Sequence, residues 1–360
     1  YDPTDLNSSD QIDELFGASR LKEFFWEAVS IRFGYHNNDP CLSDFVVELF
    51  NTVSCLGNNG HLESHAQVFL SNWKDSRQND NSFIKWSNFL SELLRIEHDL
   101  LDQKDEFNPL EDDCYELIEL FCIRRLIQQF SNLNDSSELL ERINLRKNSF
   151  WYEKHSHAYD AIRLAVELRN LIIENDLKVQ SFENGLQQYC NNWWRIDRTY
   201  RCCVFHTQSY GQPGLMKPLK EWVENQYLNN ALRPLTNQWS DHVKDLSHWS
   251  SVNLHSQKSF HKTYVHNPLS SSKLKRLFVV ISDALRYEAA HDFVDRLNSQ
   301  SSKSWDAKIN ALLGVLPSYT QLGMASLLPG NKININISDP NAPVTVCLLY
   351  TSDAADDQAS

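Results

Sequence analysis

The stretch "LFVVISDALRYEAA" (277–290) decides the fold. Five apolar residues run together without alternation, as in a strand buried on both faces of a parallel sheet. The run breaks at Ser282-Asp283 into a stretch with helical spacing, which predicts a helix over roughly 284–299. A carboxylate at the end of a buried strand needs a partner. On generic grounds Asp283 serves equally as the cap of that helix or as a hard-oxygen or zinc ligand.

Downstream, Ile309, Ala311, Leu312, Leu313 and Val315 predict a second strand. "LPSYTQLGMASLLPG" (316–330) then reads as a strand end, a turn and a short helix stopped by Pro329-Gly330. Strand, helix, strand, helix is the opening of an α/β domain. Open α/β sheets bind ligands beyond the carboxyl ends of their strands, which brings Asp283 and Thr320 to one crevice. A Thr at a helix N-terminus sits at the positive end of the helix dipole, where an alkoxide or a phosphate oxygen is stabilised. Taken alone, Thr320 or Ser318 reads first as a simple cap of the short helix.

Upstream, residues 19–262 predict helix after helix. Phe45, Val46, Leu49 and Phe50 follow helical spacing, and so do Tyr159, Ile162, Ala165, Val166 and Leu168. Pro40 is the expected stop of the unit carrying Phe24, Phe25, Ala28, Val29 and Ile31. Further helices are expected near 83–103, 112–131, 178–206 and 216–246. Trp193, Trp194, Tyr200, Trp222, Tyr227 and Trp239 fall at helical spacing and read as packing core rather than a stacking platform for bases. His155 and His157 form an HxH pair without a carboxylate or Cys partner at fixed spacing, a weak metal signal. In "WWRIDRTYR" (193–201), Arg195, Arg198 and Arg201 share one side of a helix, which suggests a salt-bridge network ahead of an anion site.

The chain of 360 residues carries a net charge of −13. Residues 266–346 hold eight Lys+Arg and six Asp+Glu, whereas residues 1–265 hold 26 basic and 38 acidic residues. So acidic a helical region makes direct nucleic-acid binding by 1–265 an unfavourable reading, because phosphate neutralisation needs clustered Lys and Arg. No apolar run reaches the length of a membrane span, so no membrane association is expected. The eight Cys contain no CxxC pair and read as reduced thiols of a cytoplasmic protein. Three regions are expected: a helical region 1–265, the first part of an α/β domain over 266–346, and a tail 347–360. "CLLYTSDAADDQAS" (347–360) does not continue the α/β rhythm and reads as a non-native tail on a C-terminally truncated fragment.

"VVISDALRYEAA" (279–290) followed by "LPSYTQLGMASLLPG" resembles the PglZ domain, a branch of the alkaline-phosphatase-like superfamily. "FFWEAVSIRFGY" (24–35), "CLSDFVVELF" (41–50), "WWRIDRTYR" and "PLKEWVENQYLNNALRPLTNQWS" (218–240) resemble the helical region before that domain in type A PglZ proteins of BREX phage-defence systems. The resemblance implies a mainly α region followed by the start of an alkaline-phosphatase-like α/β domain. It implies that Asp283 binds a divalent metal, usually zinc, and that Thr320 is both nucleophile and metal ligand. Arg286 and Glu288 belong to the motif without an assigned step. The remaining Asp and His ligands are expected beyond residue 346. The implied activity is metal-dependent phosphatase or phosphodiesterase chemistry on an unspecified phosphoester, with other BREX proteins as partners. The competing reading is a non-catalytic scaffold that docks those proteins.

Overall fold

The computed structural model describes residues 15–16, 20–57, 60–76, 80–103, 109–130, 136–271, 274–300, 306–330, 332–336 and 345–349. The chain divides into two compact units. The first comprises Tyr1–Glu167 with Cys202–Glu224, the second Leu168–Arg201 with Asn225–Ser360.

The mainly helical expectation for 19–262 holds among the described residues. The helices are α1 (Arg20–Phe33), α2 (Leu42–Val53), α3 (His65–Asp75), α4 (Asp80–Leu93), α5 (Ile96–Leu101), α6 (Glu116–Phe130), α7 (Ser137–Arg146), α8 (Tyr152–Glu174), α9 (Phe182–Gln188), α10 (Trp194–Ser209), α11 (Pro213–Asn225) and α12 (Arg233–Lys244). The first of these ends earlier than Pro40 suggested. Gly34 takes a left-handed φ of 69°, and its N–H closes on the Ser30 carbonyl at 2.8 Å. Glycine adopts that conformation without the Cβ penalty, so it stops α1 six residues before the proline. The expected helix over 83–103 is broken at Arg95, whose φ is 54°.

In the first unit the apolar faces meet in one core. α2 contributes Phe45, Val46, Leu49 and Phe50, a face set by the i, i+3, i+4 spacing. Phe50 stacks on Phe83 at 5.7 Å, and Phe83 meets Phe150 edge-on at 4.7 Å. Burying each such ring contributes about 1.5–3 kcal/mol relative to exposure. Beneath α8, Arg146 and Glu119 form a fully buried ion pair. Arg146 also donates to the carbonyls of Leu110 (2.9 Å) and Asp112 (2.8 Å), and the Tyr159 hydroxyl donates to Glu119 at 2.5 Å. That satisfies the charges, which is the condition for burying them.

The second unit contains π-helical turns at Tyr189–Trp193, between α9 and α10, and at Gln226–Leu232, between α11 and α12. The second lies next to Pro234, which has no N–H to donate to the carbonyl four residues back. Ser181 caps α9 by accepting from the Asn184 N–H at 3.1 Å. Gln238 of α12 binds the Val179 N–H and the Leu177 carbonyl, which fastens the incoming chain to that helix. Beyond α12 follow a π turn (His261–His266) and three short helices, α13 (Asn267–Ser271), α14 (Tyr287–Ser299) and α15 (Thr320–Leu327).

The expected parallel strands are corrected. Residues 274–283 form no strand and are not buried: Phe278 is 87% and Val280 91% exposed. β-Branched residues favour extended backbone, but a strand exists only where a neighbour supplies its ladder, and no described segment runs beside this one. Residues 309–315 are likewise not a named strand, and their one bridge is the parallel pair Ser256–Leu313. Among the described residues the named strands are β1 (Lys332–Asn336) and β2 (Thr345–Leu349), paired antiparallel with Lys332 opposite Leu349. Cys347, Leu348 and Leu349 of the expected tail therefore have a place in β2. Residues 350–360 lie outside the described residues.

Candidate active-site region

Both predicted site residues lie in the second unit. Thr320 is the first residue of α15, after Tyr319 at the cap position. No side chain caps this helix, so neither Thr320 nor Ser318 is its cap, and the Thr320 hydroxyl is exposed. Asp283 is also exposed and is not a cap, because α14 starts only at Tyr287 with Arg286 before it. One Asp283 oxygen accepts the Ala284 N–H at 3.0 Å. Ala284 stands at φ 56°, a left-handed conformation that costs a non-glycine residue roughly 1–2 kcal/mol. A sharp, strained turn thus follows the apolar run at the carboxylate. Backbone strain of this kind clusters at functional sites.

Two sets of contacts hold these segments, and sequence reasoning missed most of their members. The first set anchors α14, the helix that leaves the Asp283 turn. Asp292 bridges Arg198 Nε and Arg201 Nη2, each at 2.5 Å. Arg201 Nε also lies 3.4 Å from Glu288, whose side chain is 1% exposed. His291 lies flat on Trp194, with centroids 3.8 Å apart and planes 1° from parallel. Burial, with Arg198 and Arg195 nearby, holds the His291 imidazole below its ordinary pKa. Tyr287 donates weakly to the Cys190 carbonyl at 3.5 Å, and burial pushes its hydroxyl up to about 12. Arg198 and Arg201 of "WWRIDRTYR" thus form the salt-bridge network that the spacing suggested, whereas Arg195 lies over the Trp194 ring at 5.8 Å. Glu288, without a role in the sequence reading, is the network's buried acidic partner.

The second set anchors α15. The Gln257 backbone N–H donates to the Leu313 carbonyl at 2.9 Å, and its side chain accepts from Val315 N (3.3 Å) and donates to Gly323 O (3.1 Å). The Trp249 indole donates to the Gly314 carbonyl at 2.7 Å. Leu313, Val315, Leu322 and Ala325 are buried beneath. No period in the sequence marks Gln257 or Trp249, since each acts through a contact more than 50 residues away.

The geometry brings Asp283 and Thr320 into one unit without joining them: no hydrogen bond or ion pair links the two among the described residues. Nor do three or more His, Cys, Asp or Glu side chains form a group that could hold a metal ion among the described residues. A zinc site needs three or four donors, so the residues present do not by themselves fit a metal. His291 is committed to Trp194. The HxH pair is split in the first unit: His155 is buried between Tyr210 (2.6 Å) and Glu116 (3.0 Å), whereas His157 meets His206 at 2.9 Å.

Comparison with known proteins adds identity to this geometry. Residues 260–344 match the family model described as the BREX system PglZ alkaline phosphatase-like domain. The chain is 27% identical over 332 residues to "Alkaline phosphatase-like protein PglZ" of Bacillus cereus (strain H3081.97), covering 88% of this chain and 38% of that protein. It is 28% identical over 342 residues to "Alkaline phosphatase-like protein BrxZ" of Escherichia coli O9:H4 (strain HS), covering 87% of this chain and 39% of that protein. The chain thus spans about two fifths of the length of these curated relatives. No solved structure matches it. Both positive findings support a PglZ protein of the BREX type. No described helix is long and apolar enough to cross a membrane.

Proposed function

We propose, from the premise that residues 260–344 carry a PglZ alkaline-phosphatase-like domain, that this chain contributes Asp283 and Thr320 to a phosphoester-hydrolysing centre in BREX phage defence. The observation that carries the reading is the left-handed Ala284 directly after Asp283: a strained turn holds the carboxylate at the end of the apolar run. Thr320, exposed at the first turn of α15, supplies the attacking hydroxyl. The free amide N–H groups there favour its alkoxide and the phosphate oxygens. Asp283 is the carboxylate for a divalent metal, zinc first, with the other donors coming from residues outside the described set. The partners are other BREX proteins, and the compartment is the cytoplasm.

The second reading is a non-catalytic interaction module. It is favoured by the absence of converging metal ligands among the described residues. The two readings separate in turnover of bis-p-nitrophenyl phosphate by the whole gene product, with zinc added. On the hydrolase reading Thr320→Ala loses about 10³-fold or more in kcat, while Thr320→Ser retains part of it. Asp283→Ala loses activity together with bound zinc. Wild-type turnover in Thr320→Ala, or a wild type without zinc-dependent turnover, rejects the hydrolase reading in favour of the module.

A further inference from the structure

A cavity of about 260 Å³ lies in the second unit, beside the π-helical turns Tyr189–Trp193 and Gln226–Leu232. Tyr189 and Trp193 come from the first turn, Tyr227 and Ala231 from the second, and Trp239 from α12. π-Helical turns are rare and are frequent at functional sites, because the extra residue re-aims side chains. Here the two of them flank one cavity. We propose that this cavity binds a small organic cation, held between aromatic faces against the carboxylate of Asp197.

Charge complementarity names the occupant. Asp197 is the sole charged side chain among the cavity-lining residues, and no Lys or Arg lines the wall to neutralise it. Tyr189 donates to one Asp197 oxygen at 2.7 Å and Tyr227 to the other at 2.9 Å. These bonds fix the carboxylate and leave each oxygen a lone pair for a further donor. Burial and the neighbouring Asp197 carboxylate raise both tyrosine hydroxyls well above their ordinary pKa, so the tyrosines stay neutral donors. Aromatic faces carry the negative end of the ring quadrupole and attract a cation further. An anion is repelled here, and a neutral ligand gains a hydrogen bond from the carboxylate at most, without the attraction of opposite charges.

The walls are also rigid before any ligand arrives. Tyr227 stacks on Tyr200 at 3.9 Å with planes 5° apart, and Trp239 stacks on Phe182 at 5.0 Å. Preorganised rings lose little freedom on binding. The volume falls below the roughly 300–1,000 Å³ of drug-sized sites, so the cation is small.

The test titrates the chain with choline and with its neutral isostere 3,3-dimethylbutan-1-ol, read by calorimetry and tryptophan fluorescence. Choline is expected to bind with a dissociation constant of about 10 mM or tighter, and the alcohol at least tenfold more weakly. Asp197→Asn keeps an acceptor for the tyrosines and removes the charge; it should weaken choline at least tenfold with little change in the alcohol. Ala231→Leu fills the cavity and should abolish choline binding, which keeps the test valid if Asp197→Asn fails to fold. Equal binding of choline and the alcohol overturns the proposal. So does unchanged choline affinity in Asp197→Asn, unchanged choline affinity in Ala231→Leu, or no saturable choline binding by the folded wild type.

Discussion

Asp292→Ala removes the carboxylate that ties α14 to two arginines of α10. The Asp292 side chain is 17% exposed, and its partners Arg198 and Arg201 are 41% and 39% exposed. Exposed ion pairs are worth about 0.2–1 kcal/mol, whereas breaking a buried pair costs about 3–5 kcal/mol. Asp292 is mostly buried and its partners are half in water, so the loss should lie between these limits, at about 2 kcal/mol. Urea unfolding should therefore show a lower midpoint with an unchanged slope. Arg201→Ala should cost a similar amount, because it strips the buried Glu288 of its cation. Combined with Asp292→Ala, it should cost less than the sum, with a coupling of about 1 kcal/mol. A single-variant change below about 0.5 kcal/mol, or additivity within about 0.3 kcal/mol, refutes the anchoring argument. The outcome bears on function as well. If the helical region only docked partners, Arg201→Ala would leave hydrolysis intact. If α10 holds the helix that leaves the Asp283 turn, the same variant lowers phosphoester turnover in folded protein.

Arg146→Met in the first unit leaves Glu119 buried without its cation, and should cost about 3–5 kcal/mol in urea unfolding. A loss below about 1 kcal/mol would mean that the Tyr159 and Ser149 hydroxyls suffice to solvate the carboxylate. Burial lowers the pKa of His206, outweighing Asp160; His157 and Arg163 oppose its charging too. A folded-state pKa below the unfolded value means that the unfolded chain binds more protons. This contribution to stability is therefore present above about pH 6.5 and is lost as pH falls below it. Melting temperature measured from pH 7.5 to 5 should fall less steeply in His206→Gln than in wild type, and identical slopes would exclude the histidine as a source.

Much of the helical part was legible because its signal is local. The Phe45, Val46, Leu49 and Phe50 face of α2 shows as a 3.6-residue period, and tertiary packing only confirms it. Gly34 is legible in principle, as a glycine after an apolar helical face, although Pro40 is the more conspicuous stop signal. The π turns were not legible, since a single inserted residue hardly disturbs the period. The partners of the arginine face were not legible either, because Arg201 and Asp292 meet across 91 residues and no spacing rule spans that distance. The apolar run at 277–281 failed for a different reason. Its composition states a preference for extended backbone, but burial and pairing belong to the neighbours and cannot be read from the run itself. The exposure of Asp283 follows from the same fact. A strand-end carboxylate is enclosed only when the strands beside it exist, and among the described residues none runs beside Leu277–Ile281. Yet the turn at Ala284 keeps its strained shape, and α14 beyond it is fastened by Arg198, Arg201 and Trp194. Among the described residues the motif is thus held from its helical side.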